Sequence, residues 1–371
     1  MKITAAVINH VNAPYQLETL ELTALRDDEV RVKVVASGIC HSDEALRVGD
    51  EEHFFPGVLG HEGSGIVEEV GRSVKGINAG DHVVMSYAYC GGCAQCRQGQ
   101  PSRCQDWGMM NAGGFRHDGS AVLLKPDGEK VSTMFSQSSF ATHCHTRLNN
   151  LIVVDKTADL RLMAPLGCGL LTGSSTVFNG LKPQPGSDIA VFGTGAVGMA
   201  AIMAAKIAGC RHIIAIDIHD PRLSLARELG ATDTINSSQS EVVSAIASLT
   251  QDKGVNYAID TTGLSAVMKS ALDALATGGT LAPLAVTRHD LTFNPMRSLV
   301  ASGKRVVGIL MGNAIPQVSV PQLIEWHQRG EFPFEKLVKF YDLADINQAR
   351  ADSASGVTIK PVLIVDKSYR I

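Results

Sequence analysis

The segment IAVFGTGAVGMAAIMAAKIAGCRHIIAID, Ile189 to Asp217, decides the fold of this chain. It opens on a wholly apolar run, IAVF, of the length of a buried strand. Gly193-Thr194-Gly195-Ala196-Val197-Gly198 follows, and then a helix-like stretch that stops at Gly209. A second strand, HIIAIDI, carries Asp217 near its end. The pattern G-x-G-x-x-G is weak by itself. Between a strand and a helix, it is the form in which a dinucleotide pyrophosphate meets the N–H groups of a helix N-terminus. Gly193, Gly195 and Gly198 permit the tight turn, the close backbone approach and the close helix packing. Asp217 stands about 20 residues on, where a carboxylate accepts ribose hydroxyls and repels a 2′-phosphate. NAD is therefore expected over NADP. Arg222 is a nearby cation that could meet ribose oxygens or a phosphate.

Further strands are expected at VNYAIDTTG, GTLAPLAV and RVVGIL, separated by helical stretches, with Asp220-Pro221 opening the helix PRLSLARELG. Strand–helix alternation of this kind predicts a doubly wound parallel α/β sheet. Before it the chain is β-rich: KITAAVI, EVRVKVVASGIC, GSGIVEEVG and GDHVVMS have strand character. After about Leu310 the texture is mixed again and closes on the strand-like VTIKPVLIV. With 371 residues, two domains are the default. The expected boundaries are a β-rich domain over 1–169, a Rossmann domain over 170–310, and a return to the first domain over 311–371.

Composition excludes several classes. A net charge of −4 gives no electrostatic footprint for nucleic acid or an anionic membrane. The apolar stretch Ile189 to Ala205 is interrupted by three glycines, so a buried strand–turn–helix explains it better than a membrane span. The start, MKITAAVINH, lacks the apolar core of a signal peptide, and a cytoplasmic location is expected. Eight cysteines in such a chain suit metal ligation rather than bridges.

Four of them, Cys90, Cys93, Cys96 and Cys104, stand as C-x2-C-x2-C-x7-C in YCGGCAQCRQGQPSRC. Four thiolates this close can surround one tetrahedral Zn²⁺, a closed and therefore structural site. Two disulfides inside so short a loop would be strained. Three other segments are chemically loaded: GIC-HSDE around Cys40, GHEGSG around His61, and GCGLLTG around Cys168. A catalytic zinc needs three protein ligands and one open position, and Cys40, His61 and Cys168 supply a Cys2His set. Taken singly, His61 reads as a surface or core histidine and Cys168 as an inert buried thiol. Their co-occurrence with the glycine fingerprint and the cysteine quartet favours ligation.

With Gly60-His61-Glu62, the quartet, Gly167-Cys168-Gly169 and the fingerprint with Asp217, the chain resembles the medium-chain zinc-dependent alcohol dehydrogenases over essentially its whole length. C-H-S-D and VVMSYAYCGGC look most like the aryl (benzyl) alcohol dehydrogenase branch. The resemblance implies a GroES-like catalytic domain beside the Rossmann domain. It implies one catalytic and one structural zinc, NAD, and reversible hydride transfer between a primary, aromatic alcohol and its aldehyde. Cys40, His61 and Cys168 would hold the catalytic zinc, with Glu62 beside it as a transient ligand. Asp43 would orient the His61 ring, and Ser42 would start the proton relay. Thr172 and Val197 would pack near the nicotinamide. His41 and Lys360 would face the cofactor pyrophosphate. Ser42, Ser86 and Phe140 would line the substrate pocket.

Ala45 stands where many members carry a histidine, which leaves His41 or water as the last base of the relay. Terpenoid or aliphatic alcohols, polyols and glutathione adducts are alternative substrates, and Arg116 or His117 could form the cationic mouth an adduct needs. A non-catalytic dinucleotide-binding relative is a further alternative. A homodimer or homotetramer is expected, with RVVGIL as a sheet edge open to a symmetry mate.

Overall fold

A computed structural model describes residues 1–49 and 51–371. The chain divides into two compact units. One comprises Met1–Cys168, Ile315–Gln322 and Glu335–Ile371; the other comprises Gly169–Ala314 and Leu323–Phe334. The return to the first unit thus begins at Ile315, and Leu323–Phe334 belongs to the second.

The first unit is built mostly on antiparallel pairing, with parallel pairs only at Gly57–Val58 with Lys130–Thr133 and Val338–Asp342 with Lys360–Ile364 among the described residues. Strands Lys2–Ile8, Gln16–Leu22, Leu123–Leu124, Lys130–Thr133 and Gly57–Val58 close a small barrel. A seven-stranded sheet runs in the order Leu151–Val154, His82–Met85, Gly63–Val70, Glu29–Gly38, Lys360–Ile364 and Val338–Asp342, with His143–Arg147 also paired to Glu29–Gly38. Glu29–Gly38 holds this sheet together. Alternate residues Val30, Val32 and Val34 point into one apolar cluster with Val67, Val83, Met85 and Cys144, as the period-2 pattern requires. The C-terminal strand returns to the N-terminal half of the chain, pairing Val362 with Gly38 and Ile364 with Ala36. Every segment that carries a loaded cysteine or histidine therefore leaves one framework.

The second unit is a six-stranded, wholly parallel sheet in the order Asp233–Asn236, Ile213–Asp217, Ile189–Phe192, Val255–Asp260, Leu275–Pro283 and Arg305–Val306. This is the doubly wound order whose reversal falls beside the first strand, where dinucleotides bind. Ala190, Phe192, Ile214, Ile216, Ala258 and Leu281 fill one layer of its core. The expected strand RVVGIL is shorter than its apolar character suggests. Only Arg305–Val306 pairs, and the ladder ends as Val307 N–H donates to Leu281 O. Asp220 is the first residue of the helix Asp220–Leu229, with His219 as N-cap, one position from the expected cap. Among the described residues no helix is long and apolar enough to cross a membrane.

Candidate active site

In the first unit, the strand Glu29–Gly38 ends two residues before Cys40, and helix His41–Arg47 starts directly after it. Cys40 is the N-cap, extended at φ −114° and ψ 156°. Asp43, the third helical residue, reaches back so that its Oδ2 accepts from Cys40 N–H at 2.9 Å. This is the reciprocal arrangement that satisfies donors left free at a helix start. The other oxygen, Oδ1, accepts from Gly60 N–H at 3.0 Å and lies 3.0 Å from His61 Nδ1. One buried carboxylate thus fixes two of the three ligand-bearing segments. Gly60 has φ +90°, and a Cβ there would meet Phe140 at 2.6 Å, so only glycine allows this turn.

The ligand atoms of Cys40, His61 and Cys168 all lie within 4.8 Å of one another. His61 is wholly buried, and its Nε2 has no hydrogen-bond partner. A buried imidazole nitrogen without a partner is costly in an apolar interior. Two thiols and that nitrogen are the donor set of an open zinc site. With Nδ1–H donated to Asp43, Nε2 carries the lone pair a metal takes. Hydrogen bonding from Cys168 holds the Cys40 thiol well below its ordinary range, against its burial, and the same contact pushes Cys168 well above it. The pair therefore readily yields one thiolate, and a metal would displace the second proton.

Ser42 is half-buried, with its Oγ 3.8 Å from Cys40 Sγ. His41 is exposed at the start of the helix. Glu62 and Lys360 are paired with each other. Glu62 is buried beside the ligand cluster but not part of it: its Oε1 and Oε2 accept from Lys360 Nζ at 3.0 and 2.8 Å. Lys360 also donates to Ile39 O at 3.0 Å and is only 2% exposed. All three ammonium protons are thereby engaged in this pairing. Ser86 is likewise buried and donates to Gly167 O at 2.6 Å, so its hydroxyl fixes the Cys168 turn. Phe140 is buried edge-on to Tyr15 and backs Gly60.

Two residues not singled out in the sequence stand closer to the chemistry. The Phe135 ring lies on the His61 ring at 4.6 Å between centroids, with Trp107 edge-on to Phe135 at 5.7 Å. Gln137 donates to His61 O at 3.1 Å and to Ser86 O at 3.0 Å, and accepts from Gly63 N–H. Phe135, Ser136 and Ser138 all have positive φ, a conformation that glycine would signal and these residues do not.

Arg116 is not available for a cationic mouth. Its guanidinium grips Glu29 at 2.6 and 2.8 Å and donates to Thr23 and Ala121.

Cys90, Cys93, Cys96 and Cys104 form a second cluster, their sulfurs also within 4.8 Å of one another. Cys90 N–H donates to Cys104 Sγ and Cys93 N–H to Cys90 Sγ, both at 3.3 Å. Backbone donors at Gln105 and Cys96 hold the Cys93 thiol down at about 6, whereas burial pushes Cys96 up to about 12.

In the second unit, Gly193 turns at φ +90° between strand and helix. A Cβ on Gly198 would stand 1.9 Å from Gly193 O, whereas one on Gly195 would meet nothing within 4 Å. The helix Ala196–Ile207 thus packs tightly on the loop and leaves open space at its own N-terminus, which suits an anion. Asp217 Oδ2 accepts from Thr194 N–H and Oγ1 at 2.8 and 2.7 Å; Oδ1 accepts from Ile218 and His219 N–H. These bonds hold it ionised, below its ordinary value despite burial. Arg222 Nε is buried without a partner. Val197 packs its carbonyl against Gly173, and Thr172 Oγ1 lies 3.8 Å from Met311 Sδ.

Comparison with known proteins agrees with this geometry. Residues 26–121 match the alcohol dehydrogenase GroES-like domain and residues 196–329 the zinc-binding dehydrogenase domain. The chain is 36% identical to a geraniol dehydrogenase of Castellaniella defragrans, over 97% of each chain. It superposes on an alcohol dehydrogenase zinc-binding domain protein of Burkholderia ambifaria with a TM-score of 0.95, at 46% identity over 99% of both chains. Against benzyl alcohol dehydrogenase of Acinetobacter calcoaceticus the TM-score is 0.94, at 41% identity over 99% of this chain and 100% of that one. The chain belongs to the medium-chain, zinc-containing alcohol dehydrogenases. Zinc and NAD are the cofactors of that family, and both clusters found here fit zinc.

Proposed function

We propose that this alcohol dehydrogenase oxidises primary aromatic alcohols to aldehydes with NAD, and runs in reverse as an aldehyde reductase. The observation that carries the chemistry is the unpartnered Nε2 of buried His61 beside Cys40 and Cys168. A zinc held by Cys40, His61 and Cys168 would supply a Lewis acid for the alcohol oxygen, and NAD held at the Gly193–Gly198 turn would supply the hydride acceptor. The chain itself positions and deprotonates. Asp43 fixes the imidazole tautomer, Ser42 Oγ takes the alcohol proton, and His41 stands next in the chain to pass it on. Thr172 and Val197 support the nicotinamide. Asp217 receives the adenosine ribose, with Arg222 beside it.

Phe135 and Trp107 supply flat apolar surface at the His61 ring, which favours a planar substrate. The likeness to a benzyl alcohol dehydrogenase supports the same reading. Allylic terpenoid alcohols are the second reading, favoured by the geraniol dehydrogenase relative. Such substrates differ by apolar contacts of about 1–3 kcal/mol each, so one pocket can serve several. We assign the chain a cytoplasmic location and a homodimer through the sheet edge at Arg305–Val306.

The test is kcat/KM on benzyl alcohol, geraniol, hexan-1-ol and sorbitol with NAD and NADP. Benzyl alcohol with NAD should lead. A lead for geraniol would replace the aromatic assignment and keep the mechanism, and a lead for sorbitol would overturn the apolar pocket. His41→Gln should change the pH–rate profile; an unchanged profile would pass the relay to water.

A further inference from the structure

The carboxylate of Glu62 is the next side chain after a metal ligand, wholly buried, and yet outside the cluster formed by Cys40, His61 and Cys168. A buried carboxylate oxygen is a good zinc ligand. Left free, it would compete with substrate for the fourth position. Its place is set by Lys360, whose Nζ donates to both Glu62 oxygens at 3.0 and 2.8 Å and to Ile39 O at 3.0 Å. Lys360 is tied at both ends of the site: Ile39 immediately precedes Cys40, and Glu62 immediately follows His61. The backbone repeats this tie, for Gly38 N–H donates to Glu62 O and Ile39 N–H to Pro361 O, both at 2.9 Å. The carboxylate is parked against Gly38, where a Cβ would stand 2.1 Å from Oε2. A glycine, a lysine from the last strand and a carbonyl together form a berth for that one side chain, outside the three-ligand cluster.

We propose that Lys360 is a positioning residue that holds the Glu62 carboxylate off the catalytic metal and so keeps the fourth coordination position free for the alcohol. The proposal rests on the assignment of Cys40, His61 and Cys168 as the catalytic zinc ligands. It accounts for a buried lysine with all its protons engaged, and it gives the C-terminal strand a direct part in the active site. Loss of the ammonium releases Glu62 toward the metal, where it acts as a tethered competitor. Apparent KM for the alcohol then rises while kcat at saturation falls less.

The experiment uses the full chain with cobalt(II) in place of zinc at this site, since visible d–d bands weaken as coordination rises from four to five. Lys360→Met should weaken those bands and raise KM on the order of 10–100-fold, the range for groups that orient metal ligands. Adding Glu62→Gln to Lys360→Met should restore both the bands and KM, which a merely structural loss would not do. Should Lys360→Met fail to fold, Lys360→Gln, which keeps N–H donors but loses the charge, should show intermediate bands. Wild-type bands and KM in Lys360→Met, wild-type bands in Lys360→Gln where Met fails, or no rescue by Glu62→Gln would each overturn the proposal. Failure of the wild-type chain to take cobalt at Cys40, His61 and Cys168 would instead overturn the metal assignment, and the role of Lys360 with it.

Discussion

The two cysteine-bearing centres are built in opposite ways. In the lobe, all four sulfurs come from one short stretch, and neighbouring backbone N–H groups already donate to them. At the active site, the three ligands come from three segments far apart in sequence, and each is held by something that is not a ligand. Asp43 holds Cys40 and His61, Gln137 holds the His61 backbone, and Ser86 holds the turn before Cys168. Closing a short loop costs little entropy, and a metal can organise it. An open site cannot rely on the metal in this way, because its fourth position must stay free, so the fold must supply the geometry. On the proposed function, the lobe is a closed centre that stabilises structure, and the other a prepared centre that does chemistry.

That contrast can be broken most sharply at Cys40. Cys40→Ala should abolish one zinc and lower turnover by at least about 10³-fold, since Lewis-acid stabilisation is worth several kcal/mol. Its thermal unfolding should stay near wild type. Cys93→Ser should do the converse, lowering Tm by roughly 5 °C or more, at about 2–4 °C per kcal/mol for domains of this size. Activity per folded molecule should survive. Equal losses of Tm in the two variants would erase the distinction.

Asp43→Asn sharpens the comparison further, because the lobe has no counterpart to that carboxylate. The variant should lose about 10–100-fold in metal affinity or activity, read by zinc retention against a chelator alongside kcat/KM. The smallest effect is one of pH. Zinc uptake by the emptied lobe displaces thiol protons, so its affinity rises with pH. Cys93, with its thiol held at about 6, is already ionised above that pH and contributes only below it. The slope of log affinity against pH should therefore steepen by up to about one decade per unit below pH 6, and Cys93→Ser should remove the change of slope.

Much of this was legible in the sequence where the physics is local. The strand–glycine–helix at Ile189–Ile207 follows from an apolar run and three glycines, and the structure realises it as strand Ile189–Phe192 and helix Ala196–Ile207. The quartet was equally plain, because its spacing is its geometry. Non-local partners were not legible. Lys360 meets Glu62 across 298 positions of sequence, and no periodicity announces that pairing. Phe135 reaches His61 through a loop whose positive φ values fall on Phe and Ser, where the residue type gives no warning. Ser86 and Phe140 are both buried, and the bond from Ser86 to Gly167 O could not be read from chain position. RVVGIL is apolar enough for a full strand, yet its neighbour Leu275–Pro283 pairs only with Arg305 and Val306.

The most direct test follows zinc release to a chelator while recording benzyl alcohol oxidation and far-UV circular dichroism on the same sample, with Tm taken at each stage. Two separate phases are predicted: one that removes activity with the fold and Tm intact, and one that lowers Tm. A single phase in which activity and structure vanish together, or activity that outlasts both zinc ions, would contradict the separation of a catalytic centre at Cys40, His61 and Cys168 from a structural one at the quartet.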